Sequence, residues 1–259
     1  EGPTPDFESA LDVEALAFAP DGHSLAAATG SGLRVWTSSD WGRGKPVLST
    51  QSKMGGYAIA YSPDGKAIAS GSVGAGLLVF DAQSGQLKWP ASGKSSVSGL
   101  AFLPNGRLIA YGADNGDIKL VDAASGGSFM ILHRQNEWQP TTALAFFGDG
   151  RLATGSYQRA GIEIWQSVSG TLLTTLSAKT SLIWGEGNIW SIAVSPNDKW
   201  VAAGDSDGSV RLWTSGSTVP AKSFFGHAKD VLCVAFSPDG KTIASGGADR
   251  KIQIWAVPQ

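Results

Sequence analysis

The sequence predicts an all-β protein, a six-bladed β-propeller with four antiparallel strands per blade, and three observations carry that prediction. An apolar run ending in Ala-aromatic or a close variant recurs six times, as VEALAF from Val13, YAIAY from Tyr57, VSGLAF from Val97, TTALAF from Thr141, IWSIAV from Ile189 and VLCVAF from Val231. Its alanine falls at Ala17, Ala60, Ala101, Ala145, Ala193 and Ala235, at spacings of 43, 41, 44, 48 and 42 residues. That period suits a four-stranded blade and is too long for leucine-rich or ankyrin repeats. The 34 glycines and 12 prolines, set between short apolar runs, mark many tight turns.

Each repeat reads as four strands in order. The first run is almost free of polar residues, as in a strand covered on both faces, and its alanine suggests close approach of an adjacent sheet. A reversal follows at Ala19 to Gly22, Ser62 to Gly65, Leu103 to Gly106, Phe147 to Gly150, Ser195 to Asp198 and Ser237 to Gly240. Proline presets the turn, Asp or Asn bonds to nearby amides, and Gly accepts positive φ. A second run follows, such as IASGS from Ile68. The third alternates, with Arg34, Lys119, Glu163, Arg211 and Gln253 on a less buried side. Fragments such as QLKW ending at Trp89 and TLLTTL from Thr171 form the fourth. The last repeat ends without one, and residues about 3–9 are expected to supply it and close the ring, with Pro3 and Pro5 tolerated on an outer edge. The expected organisation is one domain over residues 1–259, with blade cores starting near 13, 57, 97, 141, 189 and 231.

Charge is sparse and balanced, 20 basic against 22 acidic residues, so the chain has no footprint for nucleic acid or an anionic membrane surface. No apolar run approaches the length that spans a bilayer, and EGPTPDF is no signal peptide. The single cysteine, Cys233, excludes an internal disulfide and is expected to be a buried thiol in its apolar strand. A cytoplasmic location is the expectation, with a bacterial periplasm or a cell surface as the alternatives.

On these residues the sequence resembles the WD40 repeat family over essentially the whole chain. The last repeat carries the signature as Gly226-His227, Ser245, Asp249 and Trp255. The resemblance implies that His227, Ser245, Asp249 and Trp255 form a buried hydrogen-bond network. At the histidine position the other copies have Ser9, Ser52, Gly93, Glu137 and Gly185, and Phe80 and Val121 replace Trp in the second and third repeats. The family's usual ring has seven blades, whereas six are counted here. The bacterial TolB-type propeller, six-bladed and also built on SPDG turns, is the nearest structural rival. The Trp-ending strands and the Gly-His pair favour WD40.

Several constellations invite a catalytic reading. Asp249, His227 and Ser245 are the residue types of a hydrolase triad, but a triad needs an exposed hydroxyl and Ser245 is expected inside a strand. Gly204 to Gly208 matches G-x-S-x-G without the strand-to-helix context of a nucleophile elbow. The acidic turns at Asp114 to Asp117 and at Asp205 to Asp207 lack the further ligands of a calcium loop. Gly42 to Lys45 lacks the rest of a phosphate loop, and His23 and His133 have no second ligand at metal spacing. No catalytic residue, metal site or cofactor is expected.

The resemblance implies a peptide or protein loop held on the face around the channel mouth, where the loops before first strands meet those between second and third strands. Carried onto this chain, the candidate binding residues are Asp12, Tyr57, Trp138, Tyr157, Arg159, Trp184, Asn188, Trp190 and Asp230. The long connections Leu132 to Pro140 and Ser177 to Asn188 bring Trp138 and Trp184 toward Trp190, the composition of a hot spot, the alternative being that Leu182, Ile183 and Trp184 fold over the rim and cap the core. The expected function is a non-catalytic protein-interaction scaffold, monomeric or part of a larger complex. The alternatives are a propeller hydrolase or lyase with its site at the channel mouth, and a sensor or structural domain of a larger bacterial protein.

Overall fold

The computed structural model describes residues 13–30, 32–39, 48–49, 56–72, 74–89, 95–133, 139–157, 159–177 and 187–258. Strand and turn account for nearly all of them, in six antiparallel sheets, each in chain order. The first sheet is β1 (Val13–Phe18), β2 (Ser24–Thr29), β3 (Gly32–Thr37) and β4 (Leu48–Ser49), and the second β5 (Gly56–Tyr61), β6 (Ala67–Ser72), β7 (Gly76–Asp81) and β8 (Leu87–Trp89). The third is β9 (Val97–Phe102), β10 (Leu108–Ala113), β11 (Ile118–Asp122) and β12 (Ser128–Leu132), and the fourth β13 (Thr141–Phe146), β14 (Arg151–Ser156), β15 (Arg159–Gln166) and β16 (Thr171–Ser177). The fifth is β17 (Ile189–Val194), β18 (Trp200–Asp205), β19 (Ser209–Thr214) and β20 (Lys222–Phe225). The sixth has three described strands, β21 (Val231–Phe236), β22 (Thr242–Gly247) and β23 (Ile252–Ala256). The closing strand expected near residues 3–9 lies outside the described residues. By contacts the chain forms two compact units, Glu1–Asp114 with Lys119–Met130, and Asn115–Ile118 with Ile131–Gln259.

The turns between first and second strands form as the sequence specifies. Gly65 at φ 71° returns its N–H to the Ser62 carbonyl at 2.9 Å, and the Ser62 hydroxyl bonds Asp64 while accepting the Ala67 N–H. The same arrangement recurs at Ser195 with Asn197 and at Ser237 with Asp239. In the fifth sheet Asp198 stands where the others have glycine and still takes φ 58°, a conformation Asp tolerates better than most residues.

Packing between consecutive sheets follows one rule inside each unit. The two apolar residues of a third strand lie against the first strand of the next sheet: Leu77 and Val79 with Val97 and Leu100, Ile162 and Ile164 with Ile189 and Ile192, Val210 and Leu212 with Val231 and Val234. A glycine in the second strand makes room. A Cβ on Gly71, Gly155 or Gly204 would come within 2.5 to 2.7 Å of the side chain of Val97, Ile189 or Val231. The close approach expected from the recurring alanine is thus made chiefly by these glycines. The alanine pairs across its own sheet with a second alanine or its equivalent, as Ala60 with Ala69, Ala145 with Ala153 and Ala193 with Ala202.

The network implied for the last repeat is present. Ser245, 1% exposed, accepts the Trp255 indole N–H at 2.8 Å and lies 2.9 Å from His227 Nε2, while His227 Nδ1 lies 2.9 Å from Asp249 Oδ1. A carboxylate can only accept, so Nδ1 carries the proton and the Ser245 hydroxyl donates to Nε2. Asp249 also accepts the N–H groups of Ala228 and Lys251. This Ser-His-Asp arrangement is closed over by its own strand and by Trp255, and its hydroxyl is spent on the histidine. In the fourth repeat the Trp165 indole donates to Thr154, the residue equivalent to Ser245. In the fifth the equivalent is Ala203, and the fully buried Trp213 indole nitrogen has no hydrogen-bond partner.

Two outcomes follow from this chemistry. Ala203→Ser gives the Trp213 indole an acceptor and raises stability by about 1 kcal/mol in denaturant titration; an unchanged midpoint would show that the hydroxyl cannot reach it. The His227 hydrogen bond, aided by the two backbone donors, holds the Asp249 carboxyl down to about 2, below its ordinary 3.8. Stabilisation from a depressed carboxylate is complete above the ordinary value and lost as pH falls through the folded one. The stability gap between wild type and Asp249→Asn therefore closes on acidification from about 3.8 to about 2, read by denaturation at a series of pH values; a gap constant across that window would refute the assignment.

Candidate functional site

Every first strand contains a bulge at its second residue, the register shifting between Val13 and Ala15, Gly56 and Ala58, Thr141 and Ala143, Ile189 and Ser191, and Val231 and Cys233. The partner shift in the third sheet skips Ser98. A bulge turns its extra residue out of the sheet's alternation. In the unit that runs to residue 259 the residues so aimed are Thr142, Trp190 and Leu232.

At the same end of the sheets, the residue before each of these strands is tied to the turn between second and third strands. The carbonyls of Pro140, Asn188 and Asp230 accept the N–H groups of Tyr157, Ser206 and Ala248 at 3.1, 3.1 and 2.9 Å. The Asn188 N–H in turn donates to Ser206 Oγ at 2.8 Å. These ties fix the loops on which the candidate site is built.

Trp190 is its centre. The indole N–H donates to Asp230 Oδ2 at 2.9 Å, and the Tyr157 ring meets it edge-on with centroids 6.0 Å apart. Tyr157 remains 39% exposed. Thr142 Oγ1 donates to the Ile189 carbonyl beside Trp190, which holds the fourth and fifth sheets together under this spot. The arrangement offers two aromatic surfaces and one carboxylate, and the indole is held rigid before anything binds.

A second polar group lies one turn away. Arg211 bridges Asp205 and Asp207. Burial pushes the Asp205 carboxyl up, with the Asp207 charge adding and Arg211 opposing. Burial also pushes Asp207 up, but hydrogen bonds from Ser209 and Arg211 outweigh it and leave that carboxyl below its usual range. The single guanidinium offsets one of the two carboxylate charges. Among the described residues no three His, Cys, Asp or Glu side chains converge to hold a metal ion.

Of the expected binding residues, the structure brings together Tyr157, Trp190, Asn188 and Asp230. Tyr57 is exposed at the bulge of β5 in the other unit. Asp12, Trp138 and Trp184 lie outside the described residues, and Arg159 opens β15 with its side chain outside them. His133, expected to stand alone, pairs with Asp117 at 2.9 Å. Cys233 corrects an expectation: it is exposed, on the face of the last sheet that also carries the exposed Ile252 and Ile254.

Repeated four-stranded antiparallel sheets, stacked ridge against first strand and tied together at one loop end, define a β-propeller protein. Three of its repeats match the family "WD domain, G-beta repeat", at residues 86–122, 170–214 and 218–256. It superposes with a TM-score of 0.82 and 19% identity on a chain of the solved structure titled "Crystal Structure of Mitotic Checkpoint Complex", covering 96% of this chain and 78% of that one. At that identity the likeness is one of fold. A search of curated proteins finds no match.

Proposed function

We propose that the chain is a non-catalytic interaction module that holds an extended peptide or a protein loop against Trp190 and Tyr157. WD40 propellers are typically protein-interaction scaffolds, which supports the class. The observation that carries the location is the Trp190 indole, raised on a bulge, hydrogen-bonded to Asp230 and flanked by the exposed edge of Tyr157. Rigid aromatic anchors lose little entropy on binding and dominate the energetics of interfaces. The carboxylate of Asp230 orients the indole and adds a site for an N–H or a cationic group of the ligand.

Peptides selected on the wild-type chain from a displayed random library test this reading. Tyr157→Ala, at an exposed position, is expected to weaken the selected peptides by tenfold or more, about 1.4 kcal/mol, without moving the melting temperature. Asp230→Asn weakens them less, and Lys241→Ala, in the turn at the other end of β21, leaves them unaffected. Selection of peptides indifferent to Tyr157 and Asp230 would move the site elsewhere.

A further inference from the structure

Asp230 holds more charge than its hydrogen bond to Trp190 uses. Oδ2 accepts the indole N–H at 2.9 Å, and among the described residues that neutral donor is the carboxylate's one partner. The negative charge and the lone pairs of Oδ1 are left over. Lys229 precedes Asp230, and Arg250 stands in the turn tied to its carbonyl; both are exposed, and neither ion-pairs with it. The neighbouring turn has the same sign. A Cβ on Gly208 would come within 2.5 Å of the His227 carbonyl oxygen and 3.1 Å of that of Lys229, so the Asp205–Gly208 turn lies directly against the loop that ends in Asp230. Arg211 offsets one of the two carboxylate charges in that turn, and Asp207 is the exposed member of the pair.

The aromatic rings favour a ligand of the opposite sign. An aromatic face is the negative side of its ring and attracts a cation within about 6 Å, indole most strongly. Trp190 has spent its N–H on Asp230, so toward a ligand it offers a ring and no donor. Tyr157 meets it at 61°, which makes a corner of two planes with the carboxylate at the indole edge. A planar guanidinium stacks on such a face and still turns an N–H toward Oδ1, whereas an ammonium is a compact point charge that does not stack. The corner is set before binding, since the Asp230 carbonyl accepts the Ala248 N–H at 2.9 Å and Thr142 holds the Ile189 carbonyl beside Trp190. We infer that the anchor residue of the ligand is an arginine, stacked on Trp190 beside Tyr157 and hydrogen-bonded to Asp230. This rests on the peptide site proposed above and adds the chemical class that the site selects.

The peptides selected on the wild-type chain supply the test. An arginine is expected at one common position, and each peptide is remade with glutamine or lysine there. Glutamine weakens binding about fivefold and lysine less, and added salt weakens the arginine peptide more than the glutamine one. In Asp230→Asn, which keeps an acceptor for the indole and drops the charge, the arginine and glutamine peptides bind alike. Circular dichroism checks that this variant folds; if it does not, the peptide replacements and the salt series on the wild-type chain decide alone. Peptides that depend on Tyr157 but share no arginine overturn the inference and leave the site standing. So does an arginine as costly to replace on Asp230→Asn as on the wild type, or one whose loss leaves wild-type binding and its salt dependence unchanged. Peptides indifferent to Tyr157 overturn the site itself, and this inference with it.

Discussion

A ridge of two apolar residues from one sheet's third strand, pressed against the first strand of the next, is the contact on which this architecture rests. Fully burying a Leu, Ile or Val side chain is worth about 1.5–3 kcal/mol, so each ridge with its partners supplies a large share of what a small sheet needs. No sheet in the chain can supply this for itself, since its two broad faces point away from each other. The glycine notch at Gly71, Gly155 and Gly204 and the paired alanines beneath it are consequences of that contact, because two backbones must come close before the ridge can be covered.

Polar groups at the interior end of each sheet are satisfied in different ways on one template. The last repeat runs a chain of donors from Trp255 through Ser245 and His227 to Asp249. The fifth has Arg211 where the last has Gln253, and Asp207 where the last has Asp249, so an ion pair ties strand to turn in place of the histidine. That substitution leaves Trp213 without an acceptor, since the fifth repeat has no hydroxyl at Ala203. Breaking a buried ion pair by removing one partner costs far more than the pair contributes, and Asp205, buried beside Arg211, depends on it most.

The period, the turns, the six first strands and the signature network were legible because each depends on residues near in sequence or repeated at fixed spacing. Trp190 was a candidate because the resemblance puts the start of a first strand on the loop face, whereas the bulge that aims it came only with the pairing register. Exposure of Cys233, Ile252 and Ile254 was not legible, because the same apolar strand pattern is buried in other repeats. His133 with Asp117 escaped for a related reason, since the pairing joins a turn to the end of a fourth strand whose path the sequence leaves open. The placement of Trp190 against Asp230 needed the fold, as 40 residues separate them.

The three family matches begin at fourth strands and end at third strands, so that residues 218–256 hold β20 of the fifth sheet together with β21 to β23 of the sixth. Sequence unit and structural unit are therefore out of step by one strand. A gene segment copied at its natural boundaries would carry the outer strand its predecessor lacks along with three of its own, and would create only contacts already present elsewhere in the chain. Lengthening by duplication thus asks for no new kind of interface, and a cut at the same boundaries always leaves one sheet a strand short.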